Sequence, residues 1–256
     1  MKTKVREWFF QIWYWYVNYV DKNAEILFMN YGFSDPDQKV ELEPHDESNR
    51  YSIQLYHLLA NSIEIKNKKI IEIGCGRGGG LSYIMRKFDP FKATGIDLDK
   101  RAVKFNKKHY QIEGLNFQHA DAQNLPLEDN TFDVLFNVES SHRYPDIASF
   151  FQEVGRILIP KGYFLYTDFR YDYEMPEVKK LLQKSGMTII KEEFITPQVV
   201  TALDSDDSRR RKLVKHLAPR LLHDIALNFA GTRGSETYKQ FACGKYIYFF
   251  YILQKK

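Results

Sequence analysis

Cysteine is nearly missing from this chain: Cys75 and Cys243 are the only two in 256 residues. They are too few and too far apart for a disulfide framework or a thiolate zinc spacing, so a reducing, cytoplasmic setting is expected. Charge of one sign is not concentrated either. The 37 Lys and Arg against 33 Asp and Glu leave +4, and the basic residues are dispersed, which argues against a nucleic-acid-binding face. Long apolar runs are lacking too. The run Trp8 to Val20, preceded by Lys2, Lys4 and Arg6, is too short to span a bilayer as a helix. No small-residue cleavage site follows it, only Asp21-Lys22-Asn23, so it is expected to be retained rather than removed as a signal peptide.

What the chain does have is a β-branched run ending in an acid and then glycines: Ile70-Ile71-Glu72-Ile73-Gly74-Cys75-Gly76-Arg77-Gly78-Gly79-Gly80. Leu81-Ser82-Tyr83-Ile84-Met85 reads as the start of a helix. Strand, glycine turn and helix open a nucleotide-binding βαβ unit. The Gly-Lys-Ser/Thr ending of a phosphate-binding loop is absent, and Glu72 just before the glycines would repel a pyrophosphate. The loop suits a cofactor with a positive end.

Further strands are expected at Phe91–Ile96, Leu115–His119, Phe132–Phe136, Tyr163–Thr167, Thr188–Ile195 and Tyr246–Leu253, with helices over 79–88, 100–110, 146–158 and 176–185 between the first of them. This alternation predicts an α/β fold with a doubly wound, mostly parallel sheet. Residues 1–68 form a helical prelude: an aromatic helix over about Val5 to Val20, a loop over Met29–Pro36, and a second helix from about Ser48 to Ser62. A basic amphipathic segment, about Asp206 to Ala230, precedes the last strand. Asp206, Asp207 and Ser208 are its N-cap candidates, and Pro219 should kink it. Leu213, Leu217, Leu221, Ile225 and Phe229 form its apolar stripe. The whole reads as one domain: lid 1–68, cofactor-binding core 69–197, helical insertion 198–242 and final strand 243–256.

In such sheets ligands sit beyond the carboxyl ends of the strands. Those ends carry the glycines, then Asp97, Asp121, the segment Asn137-Val138-Glu139-Ser140-Ser141-His142, and Asp168. Asp97 lies about twenty positions past the glycines, where a carboxylate accepts hydrogen bonds from ribose hydroxyls. Asp121 could accept from an adenine amine, or stabilise its own turn.

Ile71–Gly78, Gly95-Ile96-Asp97, Ala120-Asp121-Ala122, Phe132-Asp133-Val134 and Glu153–Leu158 together resemble the class I S-adenosylmethionine-dependent methyltransferases. The resemblance implies a Rossmann-like seven-stranded sheet of order 3-2-1-4-5-7-6 with its last strand antiparallel. It implies S-adenosyl-L-methionine as cofactor, with the loop of Gly74 and Gly76 near the methionine part, Asp97 on the ribose, Asp121 on the adenine side and Glu72 in the polar shell. Tyr31, Leu98, Ala122 and Asn137 are carried over as cofactor contacts on the same likeness. A sulfonium bearing an amino acid also accounts for an acidic glycine loop without lysine, whereas the register fits a nicotinamide dinucleotide poorly.

The segment Val138–Asp146 is similar to the motif after strand 4 in small-molecule O-methyltransferases, including those acting on sugar hydroxyls. With Asn30-Tyr31-Gly32-Phe33 and Asn49-Arg50 it also resembles methyltransferases of phthiotriolone-type lipids and related polyketides. The implied reaction is methylation of a hydroxyl on a small-molecule natural product, with His142 as general base and Asp168 orienting it. C- or N-methylation, or a non-catalytic cofactor-binding role, stay open. The Asn/Asp-Pro-Pro-Tyr/Phe motif of adenine enzymes, the cysteine of cytosine C5 enzymes and the acidic set of metal-dependent catechol enzymes are lacking, so neither nucleic acid nor metal is expected. The aromatic N-terminal helix is expected to form a lid, a homodimer contact or a peripheral membrane contact.

Overall fold

The computed structural model describes residues 20–21, 24–37 and 40–256. The aromatic helix expected over about Val5 to Val20 lies outside the described residues, Val20 excepted.

Seven strands build one sheet in the order β3-β2-β1-β4-β5-β7-β6. They are β1 (Lys69–Ile73), β2 (Lys92–Asp97), β3 (Leu115–His119), β4 (Phe132–Val138), β5 (Leu158–Tyr171), β6 (Met187–Phe194) and β7 (Tyr246–Lys255). Strands β1 to β5 pair in parallel, and β7 runs antiparallel between β5 and β6. The order and the reversed last strand are those expected from the sequence. Central strands are apolar almost throughout because helices cover both faces; β4 is buried at every position but Asp133. Neighbours alternate between faces, so Ile70 joins Leu55, Leu81 and Phe250 on one side while Ile71 joins Phe150, Phe164 and Phe249 on the other.

The helices are α1 (Arg50–Ala60), α2 (Gly79–Phe88), α3 (Lys100–His109), α4 (Ile147–Ile157), α5 (Met175–Lys184), α6 (Thr196–Leu217), α7 (His223–Phe229) and α8 (Glu236–Ala242). Three of them, α3, α4 and α8, are entered through a side-chain cap. Asp99 caps α3 by accepting from the Arg101 N–H at 2.8 Å, and Asp146 caps α4 through the Ser149 N–H at 3.1 Å.

The insertion departs from expectation. Its first helix, α6, starts at Thr196, ten residues before the expected caps, with Pro197 in its first turn. Asp206 and Asp207 therefore sit mid-helix, where they pair one turn on with Arg209, Arg210 and Arg211. Pro219 does not kink a continuous helix but ends it. Ala218 takes φ −94° and ψ 140°, the extended conformation imposed before proline. The expected stripe is broken there: Leu213 and Leu217 are half-buried, whereas Leu221 is 96% exposed.

Candidate active site

The turn after β1 is built by two backbone N–H groups, of Gly74 and Cys75, both donating to the Ile96 carbonyl at the end of β2 (2.8 and 3.0 Å). Gly74 has φ +78°, and a Cβ there would lie 2.4 Å from Ser140 Oγ. Only glycine lets the loop after β4 approach the loop after β1 this closely. The Gly76 N–H donates to Asp97 Oδ2 and the Asp99 N–H to Asp97 Oδ1, both at 2.8 Å, so Asp97 is oriented by the turn it faces.

These strand ends wall a cavity of about 550 Å³. Of the residues expected at the cofactor, Gly74, Gly76, Asp97, Leu98, Asp121 and Ala122 line it. The other three, Glu72, Asn137 and Tyr31, are placed elsewhere. Glu72 lies behind the wall, fully buried, accepting from Tyr56 Oη at 2.6 Å; its Oε2 has no hydrogen-bond partner among the described residues. Asn137 sits beneath the turn and donates to the Ile73 carbonyl (2.8 Å) and to Ser140 Oγ (2.7 Å). Tyr31 packs edge-on against Phe169 and Phe241 and borders a second, apolar cavity. His142 and Asp168 line neither of these cavities.

His142 and Asp168 do meet. The His142 Nδ1 lies 2.8 Å from Asp168 Oδ1. The buried carboxylate also accepts from Ser141 Oγ (2.6 Å), from the His142 N–H (3.0 Å) and from the Phe169 N–H (2.8 Å), and pairs with Arg170 at 3.0 Å. Burial alone would raise its pKa, but Arg170 and His142 outweigh that and hold it well below the usual carboxylate range. Burial lowers the pKa of His142; Asp168 opposes this, while Arg143 and Arg170 add to the lowering. The ring is neutral at pH 7, and its tautomer follows from its neighbours. Asp168 can only accept, so Nδ1 carries the proton. Arg143 Nε can only donate, and it reaches His142 Nε2 at 3.1 Å.

Three functional candidates were not picked out from the sequence. Glu139, in the left-handed region at φ +45°, accepts from the Tyr31 N–H and from Tyr248 Oη, both at 2.6 Å. Burial pushes its pKa up to about 8 against those hydrogen bonds, and burial likewise pushes Glu72 to about 8. Arg77, in the glycine loop itself, is buried with Asp21 at 3.1 Å and donates to the Ile26 carbonyl, pinning the segment 24–31 across the cavity. From the other side Arg210 of α6 donates to the carbonyls of Asn30 and Tyr31. Met29 is thereby pressed to 2.7 Å from where a Cβ on Gly76 would stand. The local signal for Arg77 and Glu139 was a charged side chain inside an otherwise small or apolar motif, whereas Arg210 stands in the charged run Asp206–Lys212, where nothing local sets it apart. The two cavities share Phe28, Met29 and Asn30 as a common wall.

A nucleotide-type cavity at the switch point of a 3-2-1-4-5-7-6 sheet, acidic and without a lysine, defines a class I methyltransferase site. Comparison with known proteins agrees. The family model described as a methyltransferase domain matches residues 71–166. A fatty-acid O-methyltransferase of Mycolicibacterium smegmatis is 40% identical over 213 residues, 83% of this chain and 78% of that one. A phthiotriol/phenolphthiotriol dimycocerosates methyltransferase of Mycobacterium tuberculosis is 36% identical over 234 residues, 91% of this chain and 87% of that one. Among solved structures, geranyl diphosphate C-methyltransferase of Streptomyces coelicolor superposes with a TM-score of 0.67 at 14% identity, covering 91% of this chain and 95% of that one; this likeness concerns the fold alone. The chain belongs to the class I S-adenosylmethionine-dependent methyltransferases. It is an enzyme of that family acting on a small-molecule acceptor.

Proposed function

We propose that this enzyme methylates an oxygen atom of an apolar, lipid-like acceptor. The observation that carries the reading is the pairing of two cavities across one wall. One is acidic, at the strand ends. The other is apolar, about 100 Å³, lined by Phe28, Met29, Val214, Leu217, Ala226 and Phe229. The relatives named for fatty-acid and phthiotriol methylation support the same acceptor class.

The cofactor's chemistry fits the residues present. S-adenosylmethionine supplies a methyl group on a positively charged sulfur. Asp97 would accept from its ribose hydroxyls and Asp121 from its adenine amine. Glu139 and Glu72, whose carboxyls burial keeps protonated up to about pH 8, would ionise in favour of the cation when it binds. Segment 24–31, held by Arg77 and Arg210, keeps water from the reacting centre and separates cofactor from acceptor chain. Transfer is an in-line displacement, for which the protein chiefly positions the two partners. If the acceptor is a hydroxyl, the neutral His142, oriented by Asp168, is the base; Nε2 must then exchange Arg143 for the acceptor O–H.

Incubation with methyl-labelled cofactor and a panel of long-chain lipids tests this. Label in an organic-extractable product, with the methyl group on oxygen by mass spectrometry, is expected. Label only on nitrogen or carbon, or on water-soluble acceptors alone, would overturn it. A peripheral membrane contact belongs to the same reading: Leu221 is 96% and Ile225 50% exposed, on chain that also exposes Lys215 and Arg220 beside the apolar cavity.

A further inference from the structure

We propose that Asn30 binds the amino group of the cofactor's methionine part, and that this contact fastens the wall between the two cavities. The proposal rests on the cofactor lying with its ribose at Asp97 and its adenine at Asp121; it does not depend on the acceptor.

Asn30 is only 6% exposed, and it lines both cavities. Its Nδ2 donates to the Ser52 carbonyl of α1 at 3.3 Å. A carbonyl can only accept, so the amide nitrogen faces α1 and Oδ1 is turned away from it. Oδ1 is buried and has no hydrogen-bond partner among the described residues. An unpaired buried oxygen is costly, so a donor is called for. The other buried side-chain oxygens in that state, Glu72 Oε2, Asn106 Oδ1 and Asn137 Oδ1 among them, belong to residues that line neither cavity. Asn30 is the one that carries such an oxygen at a ligand wall.

Place and chemistry select the donor. The N–H of the next residue, Tyr31, donates to Glu139 directly after β4. Along the rim of the sheet Asp121 follows β3, Asp97 ends β2, Gly74 follows β1 and Glu139 follows β4. A cofactor with its adenine at β3 and its ribose at β2 carries its amino-acid end toward β1 and β4, where Asn30 stands. The adenine amine and the ribose hydroxyls go to the two aspartates, which leaves the α-ammonium as the donor for Oδ1. An acceptor hydroxyl does not suit, because its one proton must go to the base. Asn30 also lies outside residues 71–166, the span that the methyltransferase domain model matches, so the contact belongs to this chain's N-terminal segment.

The backbone of Asn30 is already tied down: its carbonyl accepts from Arg210 of α6 at 3.3 Å. With its nitrogen on α1 and its oxygen on the ammonium, Asn30 makes the cofactor a third anchor of segment 24–31. The wall of Phe28, Met29 and Asn30 is then firmest when the amino-acid end is bound.

Calorimetry on the full chain tests this with S-adenosylhomocysteine, its deaminated analogue and 5′-methylthioadenosine, which lacks the amino-acid end. Asn30→Ala should weaken S-adenosylhomocysteine roughly tenfold or more, the scale of a hydrogen bond to a charged group. The other two ligands should change by less than about twofold, as for independent sites. Asn30→Asp keeps an acceptor oxygen and should retain the preference for S-adenosylhomocysteine over 5′-methylthioadenosine, which guards against a misfolded Ala variant. Proteolysis within residues 24–31 should be slowed more by S-adenosylhomocysteine than by 5′-methylthioadenosine in the wild type, and equally by both in Asn30→Ala. Equal weakening of all three ligands by Asn30→Ala, or an Asn30→Asp variant that discriminates no better than Asn30→Ala, overturns the proposal. So does equal protection of the wild type by the two ligands. If Asp97→Ala binds 5′-methylthioadenosine like the wild type, the cofactor's orientation falls and the proposal with it; if Asp97→Ala weakens that ligand while Asn30→Ala leaves S-adenosylhomocysteine unchanged, the Asn30 contact alone falls.

Discussion

Glycine and glutamate set the limits of this site residue by residue. Gly74 combines a left-handed backbone with a neighbour at 2.4 Å from its missing Cβ, so a side chain cannot enter without separating the loops after β1 and β4. Gly74→Ala should reduce affinity for S-adenosylmethionine by at least about tenfold and lower stability by about 1–3 kcal/mol. Calorimetry and thermal unfolding measure the two effects, and unchanged affinity would show that the turn does not shape the cofactor cavity. Glu139 shows the opposite economy: a non-glycine residue kept at φ +45° because its carboxylate joins Tyr31 to Tyr248 of β7. Its place directly after an apolar strand was visible in the sequence. That its oxygen meets Tyr31 and Tyr248 was not, because those partners come from both ends of the chain.

Among the elements, the helical insertion decides how the site is closed. Arg210 on α6 is buried with Asp206 at 2.9 Å and also bonds the carbonyls of Ala230, Asn30 and Tyr31. Arg210→Ala leaves those carbonyls short of a donor and one partner of a buried pair removed. A loss of about 3 kcal/mol is expected, together with faster proteolysis within residues 24–31. A variant as stable as the wild type, with the segment equally protected, would mean that α6 does not hold it. The sheet elements were legible because their period and their glycine and aspartate boundaries are local. Helix α2 covers the expected 79–88, and β3 the expected Leu115–His119. The insertion was misjudged because Asp206-Asp207-Ser208 has the composition of a cap, while Thr196-Pro197 supplies a start one strand-end earlier. The competing signals are equal in sequence, and packing of α6 on β7 and on the 24–31 segment selects between them.

For the whole molecule, charge couples stability to the cofactor. Glu72 and Glu139 have pKa values raised from 4.5 to about 8 in the folded state. Over that interval the unfolded chain has released protons that the fold retains, so stability falls as pH rises toward 8. Groups with lowered pKa values act in the other direction at lower pH, His142 and Asp168 among them. His142, lowered from 6.5, is kept neutral in the fold, so its contribution is lost as pH falls below 6.5. Asp168, held low, contributes stability that is lost only in more acidic solution. Between pH 6.5 and 8 the two glutamates therefore dominate. Without cofactor the melting temperature should fall across this window; with saturating S-adenosylmethionine, whose positive charge favours the ionised carboxylates, the fall should shrink. Equal pH slopes with and without cofactor would rule out this coupling. The surface permits a second measurement. Leu221→Glu should reduce sedimentation with vesicles containing anionic lipid, and undiminished binding would remove that loop from any membrane contact. Among the described residues no helix is long and apolar enough to cross a membrane.

The sequence by itself determined the mostly parallel sheet and the strand-end residues Gly74, Gly76, Asp97 and Asp121, which follow from short-range patterns: alternation of strand and helix, a glycine turn after an acid, aspartates at strand ends. The strand order and the cofactor came through the resemblance of those motifs to a known family. Only the tertiary structure decided which residues face the cavity and which brace it. It turned Asn137 under the turn, set Glu72 behind the wall, drew Tyr31 to the acceptor side and gave the free nitrogen of His142 to Arg143. Those outcomes depend on side-chain contacts that no local pattern announces, some between segments more than a hundred residues apart, such as Tyr31 with Glu139 and Arg210 with Asn30. The order of residues along a chain does not encode such distances; packing does.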